Sequence, residues 1–368
     1  MFFRQTESKA VAYRLSVAQR LTNDHAALER KFPNLWEGVR LSYQQKDWQS
    51  LSAFRDALQP FLDLRGYWKQ SLTLNKLAGE AAQALADTIN AARYNHDQAD
   101  ILHQQGNYDQ AEKLYQASEI AYHTLGEDAM SLKSRHMRSL VVRAQGRLRE
   151  AEQLCESTIL EARILGLDHW LAHPLYVLAL LVRDQGDLQK AEQLIEESLS
   201  RLVDTDEFAM IAQCHHFLGE VALLKGSLAQ ARIQLESSLQ LSQQVGIERR
   251  IAATKRLLGD LAQIEEYYDE ARKIYDEALE ITRRLGDRPE LAKLLLSKAK
   301  LLIQMQHMQE ATLLLQGALS IFREIGNEKN AKEASQLLMR LEELSRPSID
   351  MPNAVDSDNG DRSKTRDE

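Results

Sequence analysis

Glycines recur along this chain at a spacing that few folds can accommodate. Gly66, Gly106, Gly146, Gly186 and Gly226 stand 40 residues apart. A second series, Gly126, Gly166, Gly246, Gly286 and Gly326, keeps the same period with one member skipped and runs 20 residues out of phase. Ten of the 16 glycines thus mark a turn every 20 residues. A helix of about 16 residues plus a short turn fills each interval, so the pattern predicts an array of helical hairpins. With 16 Gly and 6 Pro in 368 residues, turn formers are too scarce for a sandwich or a barrel. Length alone, at about 150 residues per domain, would suggest two or three domains. The period predicts one extended array instead.

Other residue types keep the same phase. Ala111, Ala151, Ala191, Ala231, Ala271 and Ala311 are all alanine. Seven residues after them stand Ser118, Thr158, Ser198, Ser238, Ala278 and Ala318, and twelve before them Ala99, Ser139, Ala179, Gly219, Gly259 and Ala299. Two helices approach to about 8–10 Å only where small side chains meet, so a position held to Ala, Gly, Ser or Thr in every copy marks a helix crossing.

The run Gly219, Ala222, Gly226, Leu228, Ala231 resembles the tetratricopeptide repeat (TPR), and its equivalents extend the resemblance over residues 47–326. The usual TPR period is about 34 residues; here it is 40, as in a long-helix variant. The proline that closes a typical repeat is replaced by His123, Arg163, Val203, Gln243, Arg283 and Arg323, so each second helix runs another turn to its glycine. The resemblance implies an all-α, right-handed TPR superhelical solenoid of about seven helical hairpins with helical caps. Residues 1–46 are expected to form an N-terminal helical cap, with one helix over 33–45 and one or two over 4–30. Residues 47–326 would form the array, opening on a helix from Asp47 to Leu64, and 327–345 a C-terminal capping helix. Residues 346–368, rich in Ser, Asp, Asn and Lys, are expected to be disordered. Pro33, Asn34, Leu35, Trp48, Phe61 and the run Arg65 to Trp68 also resemble the helical linker that leads into the TPR sensor arrays of bacterial STAND signalling ATPases. The ATPase is missing, since no GxxxxGK[ST] occurs.

Signals for chemistry are sparse. HExxH, GxSxG, GxGxxG and paired-cysteine motifs are absent, which predicts a non-enzyme without metal or cofactor. His169 and His173 have i,i+4 spacing, but Pro174 places the helix start near His173 and leaves His169 in a turn, so two-point ligation is disfavoured. His215 and His216 point about 100° apart on a helix. Cys155 and Cys214 lie in separate segments, as expected for buried thiols in a reducing compartment. Tyr108, Tyr115, Tyr268 and Tyr275 fall at packing phases of second helices and read as hairpin core. Net charge of −8 argues against nucleic acid, and the absence of a long apolar run argues against a membrane span. A cytoplasmic location is expected.

The resemblance further implies that first helices line a concave groove and touch a ligand from four positions per repeat. Those positions include Arg93, His96, His103, Lys133, His136, Arg143, His173, Tyr176, Arg183, His216, Arg256, Lys293 and Lys300. Over six repeats they hold seven Lys or Arg against three acids, Asp100, Glu220 and Asp260. The excess predicts a partner that is a protein or peptide, with an acidic segment or a C-terminal carboxylate held on Arg143 and Arg183. The five histidines in the set suggest tighter binding once imidazoles charge below about pH 6.5. The expected function is a non-catalytic bacterial scaffold or adaptor; the alternative is a peptide-sensing regulator that changes shape on binding.

Overall fold

The computed structural model describes residues 2–345, all of whose regular structure is helical. The tail expectation for 346–368 lies outside the described residues. The chain divides into two compact units, residues 1–246 and 247–368.

Unit 1 begins with α1 (Phe2–Arg20) and α2 (His25–Gln44). Five hairpins follow: α3 (Trp48–Arg65) with α4 (Trp68–Ala84), α5 (Thr88–Gln104) with α6 (Tyr108–Thr124), α7 (Asp128–Ala144) with α8 (Leu148–Ile164), α9 (Ala172–Asp184) with α10 (Leu188–Ser200), and α11 (Phe208–Leu224) with α12 (Leu228–Val245). Unit 2 holds α13 (Glu248–Ile264) with α14 (Tyr268–Leu285), α15 (Arg288–Gln304) with α16 (Met308–Glu324), and a final helix α17 (Glu328–Ser345). The seven hairpins are those the 40-residue period predicts. Upstream, the expected start of a helix at Pro33 is corrected to His25. Asp24 caps that end, its carboxylate accepting from the Ala27 N–H at 2.9 Å. Pro33 and Pro60 both sit inside helices, each forfeiting one backbone hydrogen bond. Burial of Leu28, Leu35, Phe61 and Leu62 outweighs that cost.

Most of these helices end in a turn that holds a left-handed residue, and glycine supplies it at all ten periodic positions, from Gly66 at φ 68° to Gly326 at φ 72°. At four of the five positions where the glycine series lapses the backbone keeps the conformation, with Lys46, Ala86, Glu266 and Gln306 at φ between 54° and 64°; Asp206, after the short α10, does not. The fold therefore imposes the turn on the residue rather than the reverse. Asp47, Asp87, Asp187 and Asp287 open the next helices, each accepting from the N–H three residues on.

Small residues meet as the spacing predicts. Ala99, Ser139, Ala179, Ala299 and all six phased alanines are fully buried. At Gly219 and Gly259 no side chain fits, since an added Cβ would lie 2.5 Å from Leu235 and from Tyr275 respectively. Three of the phased hydroxyls tie a second helix to its partner, while Thr158 donates within α8 to Leu154. Ser118, Ser198 and Ser238 donate to the carbonyls of Ala92, Ala172 and Ala212 at 2.8–2.9 Å. Tyr115 and Tyr275 are core, as expected, but their hydroxyls cross the hairpin to donate to Asp100 and Asp260. Where the tyrosine is replaced by Cys155 or Ile195, the facing acid becomes Leu140 or Leu180.

One hairpin is irregular. Helices α9 and α10 have 13 residues each, against 17 in α5 to α8. A 3-10 turn over Asp168–Trp170 takes the place of the first turn of α9, and Pro174 falls in the first turn of the shortened helix. No helix among the described residues is long and apolar enough to cross a membrane.

Candidate functional site

Two surface cavities of unit 1 open on its first helices. One, of about 790 Å³, lies between α3 and α5 and is lined by Arg55, Asp56, Asp63, Arg93, Asp97 and Asp100, with Trp68 at its edge. The other, of about 500 Å³, spans α7, α9 and α11.

The first cavity holds a network of two arginines and four aspartates. The Arg55 guanidinium, almost wholly buried, donates to Asn75 at 2.9 Å and to Asp56 at 3.2 Å, pairs with Asp97, and stacks 4.8 Å from the centre of the Tyr94 ring. Arg93 adds a bond to Asp56 at 2.5 Å. Burial pushes the Asp97 carboxyl above its ordinary range against the pull of Arg55, and burial likewise raises Asp100. Sequence reasoning missed Arg55 because a cation at an apolar helix phase carries no signal until Asn75, Tyr94 and Asp97 are placed around it.

The second cavity has a different character. Met137, Leu140, Tyr176, Val177, Leu180 and Met210 form its walls, and Arg143, His136, His173, Glu207 and Gln213 its polar points. The His173 Nε2 lies 3.6 Å from the Glu207 carboxylate, and its ring meets His136 edge-on at 5.9 Å. The buried Nδ1 of His136 has no hydrogen-bond partner among the described residues.

Of the thirteen groove residues expected from the repeat phase, this cavity gathers His136, Arg143, His173 and Tyr176. The others have different neighbours. His96 is 2% exposed and His216 8%. His96 bonds Ser134 through Nδ1 at 3.0 Å, and burial, then Lys133, pushes its pKa down to about 4. Burial also pushes His103 and His136 below the ordinary histidine value. The expected charging of these imidazoles near pH 6.5 is thereby corrected for His96, His103 and His136.

The cationic excess is also reduced, by acids both at the groove phase (Glu220, Asp260) and outside it (Asp184, Glu290, Glu333). Arg183 pairs with Glu220 at 2.6 Å and Asp184 at 2.7 Å, Arg256 with Glu290 at 2.8 Å and Asp260 at 3.1 Å, and Lys300 with Glu333 at 2.6 Å. Lys293 lies 3.5 Å from Glu290. Burial pushes the Glu290 carboxyl up, but Arg256 and Lys293 outweigh it and hold the group below its ordinary range. Arg143 and Lys133 alone in the set have no carboxylate within 4 Å among the described residues. No cluster of three or more metal-ligating side chains occurs among the described residues.

Residues 128–202 and 250–324 match one tetratricopeptide-repeat family and residues 96–129 a second. No curated protein matches the sequence. Among solved structures, the apo quorum sensor NprR from B. thuringiensis aligns at 13% identity and a TM-score of 0.55, covering 92% of this chain and 99% of that one. Aspartyl phosphate phosphatase F from Bacillus subtilis aligns at 12% identity and 0.63, covering 78% and 74%. The Rap conjugation gene regulator of plasmid pLS20, bound to the Phr* peptide, aligns at 14% and 0.60, covering 77% of each chain. These likenesses establish the fold, and together with the repeat matches and the phased turns and crossings they give one conclusion: the chain carries tetratricopeptide repeats over residues 96–202 and 250–324.

Proposed function

We propose that this chain binds a peptide or an extended segment of a protein along the first-helix face of unit 1, without catalysis, as a scaffold or adaptor in the bacterial cytoplasm. The carrying observation is the position of the cavities. Two cavities of unit 1 lie on first helices, and the second is walled by side chains from three successive hairpins, the arrangement an extended ligand needs. Acidic partners fit less of this face than the residue count implies, because Arg183 and Arg93 already hold carboxylates. A net charge of −8 disfavours nucleic acid as the partner.

A photo-crosslinking residue at Leu140 or Leu180, compared with one at exposed Leu160 on α8, tests this reading with a random peptide pool as probe. Labelling at Leu140 and Leu180 but not Leu160 is the expected result. Labelling confined to Leu160 would overturn it. A second reading, a peptide-sensing regulator, is favoured by the peptide-bound Rap regulator and the quorum sensor among the structural neighbours. Small-angle scattering with and without a bound peptide separates the two, since a sensor changes dimensions on binding and a passive scaffold does not.

A further inference from the structure

We propose that the cavity between α3 and α5 binds an organic cation, a guanidinium or a primary ammonium, on Asp63, Asp100 and the Nε2 atom of His96. The inference goes beyond the peptide-binding reading and does not need it, since the cation comes either from a basic side chain of the bound chain or from a free amine.

The charges of this cavity do not cancel. Arg55 pairs with Asp97 and, at 3.2 Å, with Asp56, and Arg93 reaches Asp56 at 2.5 Å. Two of the four aspartates are left over. Asp63 and Asp100 have no Lys or Arg within 4 Å among the described residues. Their hydrogen bonds come from neutral donors: Gln59 at 2.7 Å and Ser71 at 3.3 Å to Asp63, and Tyr115 to Asp100. Burial pushes both carboxyls above their ordinary range, and the neighbouring Asp97 raises Asp63 further. Lys133 and His103 draw Asp100 the other way without outweighing burial. A cation held against these two carboxylates favours their charged form.

A buried acceptor points to the same kind of ligand. His96 is 2% exposed, and its Nε2 has no hydrogen-bond partner among the described residues. Ser134 donates its hydroxyl proton to the Met130 carbonyl at 3.0 Å, so its oxygen accepts from the His96 Nδ1–H at 3.0 Å. Nε2 then carries a lone pair and lies 3.8 Å from the Asp100 carboxylate on the cavity wall. Burial keeps this imidazole neutral near pH 7, so two acceptors face each other. A ligand N–H directed at Asp100 serves both.

The other hairpins show that the fold does not require these acids. At the repeat position of Asp63 stand His103, Arg143 and Arg183, and at that of Asp100 stand Leu140 and Leu180. Asp97 gives way to Met137, Val177 and Phe217. Cations or apolar side chains fill the same places elsewhere, so the acids belong to this cavity and not to the repeat. Its acceptors do not converge as metal ligands, since no three metal-ligating side chains cluster among the described residues. A guanidinium or ammonium spreads its N–H donors more widely than an ion does. About 790 Å³ lies within the ~300–1,000 Å³ typical of small-ligand sites, enough for such a group with its alkyl stem. Trp68, at the cavity edge, is the residue type that holds cations best.

The experiment uses the full chain near neutral pH and two probes. Agmatine, a guanidinium on a short alkyl amine, is titrated by calorimetry. Fluorescein-labelled octapeptide pools, random and free of Lys and Arg except at one fixed central position, carry there either arginine or citrulline, which keeps the shape without the charge. The expected result is binding of agmatine, or anisotropy binding of the arginine pool about 10- to 100-fold tighter than the citrulline pool, the worth of charge-assisted hydrogen bonds. The arms name the source. Agmatine binding with equal pools marks a free amine, and an arginine preference that agmatine competes away marks a side chain of the bound chain. Asp63→Asn and Asp100→Asn should each abolish most of the cation binding. Without ligand, both variants should keep or raise the melting midpoint, because each removes a carboxylate that has no counter-cation; a merely structural role would lower it. Equal pools with no agmatine binding, or a cation preference that survives both variants, would overturn the cation site and leave the peptide reading to its own crosslinking test.

Discussion

The lapses in the glycine series allow a quantitative test of how the turns stabilise this array. Glu266 and Gln306 both sit at φ 64°, in the left-handed region that costs a residue with a Cβ about 1–2 kcal/mol. Glycine avoids that cost but loses about 0.5–1 kcal/mol more backbone entropy on folding. Replacing either residue with glycine should therefore stabilise unit 2 by about 0.5–1 kcal/mol. Neither side chain complicates the substitution, because both are exposed and neither forms an ion pair among the described residues. The turn's own hydrogen bonds are backbone to backbone, Glu266 N–H to Gln263 at 3.1 Å and Tyr267 N–H to Ala262 at 2.9 Å, and survive the change. The two sites are 40 residues apart in separate hairpins, so Glu266→Gly/Gln306→Gly should gain about 1–2 kcal/mol by near-additivity. Gly286→Ala supplies the reciprocal. Its backbone is at φ 67° and an added Cβ meets nothing within 4 Å, so the expected loss of about 1 kcal/mol is conformational and not steric. Urea titration followed by helical circular dichroism reads the shift in midpoint at constant slope. Amide exchange in α13 to α16 checks that the gain is local, as expected when stability is a sum over neighbouring repeats. If Glu266→Gly is neutral or harmful while Gly286→Ala is also neutral, the left-handed turn is not where the glycine pattern acts.

Three further outcomes follow from the packing. Gly259→Ala drives a methyl to 2.5 Å from the Tyr275 ring, whose hydroxyl is held by Asp260, and should cost about 1–3 kcal/mol in thermal unfolding; an unchanged midpoint would mean the crossing is looser than drawn. His96, with its folded pKa lowered to about 4, contributes stability that is complete above about pH 6.5 and is lost as pH falls from there toward 4, at most on the order of 3 kcal/mol. Asp97 and Asp100, raised by burial, act with the opposite sign at the acid end, so the readout is the stability gap between wild type and His96→Gln. That gap should narrow on acidification, and a gap independent of pH would refute the assignment. Cys155, fully buried and with its thiol pushed up to about 11 by burial, and Cys214, also fully buried, should resist an aromatic disulfide reagent in the native state and react on unfolding. Rapid native labelling would contradict the packing.

Most of the fold was legible because its determinants are local and repeated. A left-handed turn, a small crossing residue and a capping aspartate each report on one position, and the period supplies several copies of the same evidence. What the period cannot report is a departure from itself. Pro33 reads as a helix start because a proline at the first turn costs nothing, whereas in α2 it lies nine residues in and is carried by the burial of Leu28 and Leu35. The short α9 is foreshadowed only by Pro174 and the histidines before it.

The groove was legible in phase but not in charge. Counting residues at the ligand-facing positions registers Arg183 and Arg256 as available cations, because a count does not show that Glu220 and Asp260 pair with them and leaves out Asp184 and Glu290. Arg143 and Arg183 are identical by type and by position in the repeat. They differ because the residue 37 positions after Arg183 is Glu220, 2.6 Å away, while the equivalent after Arg143 is Leu180 on the pocket wall. A repeat protein acquires specificity through such differences between copies. Two acids, Glu220 in the neighbouring hairpin and Asp184 beside it, close Arg183 on its own chain, whereas Arg143 has Leu180 and Ala144 at those places.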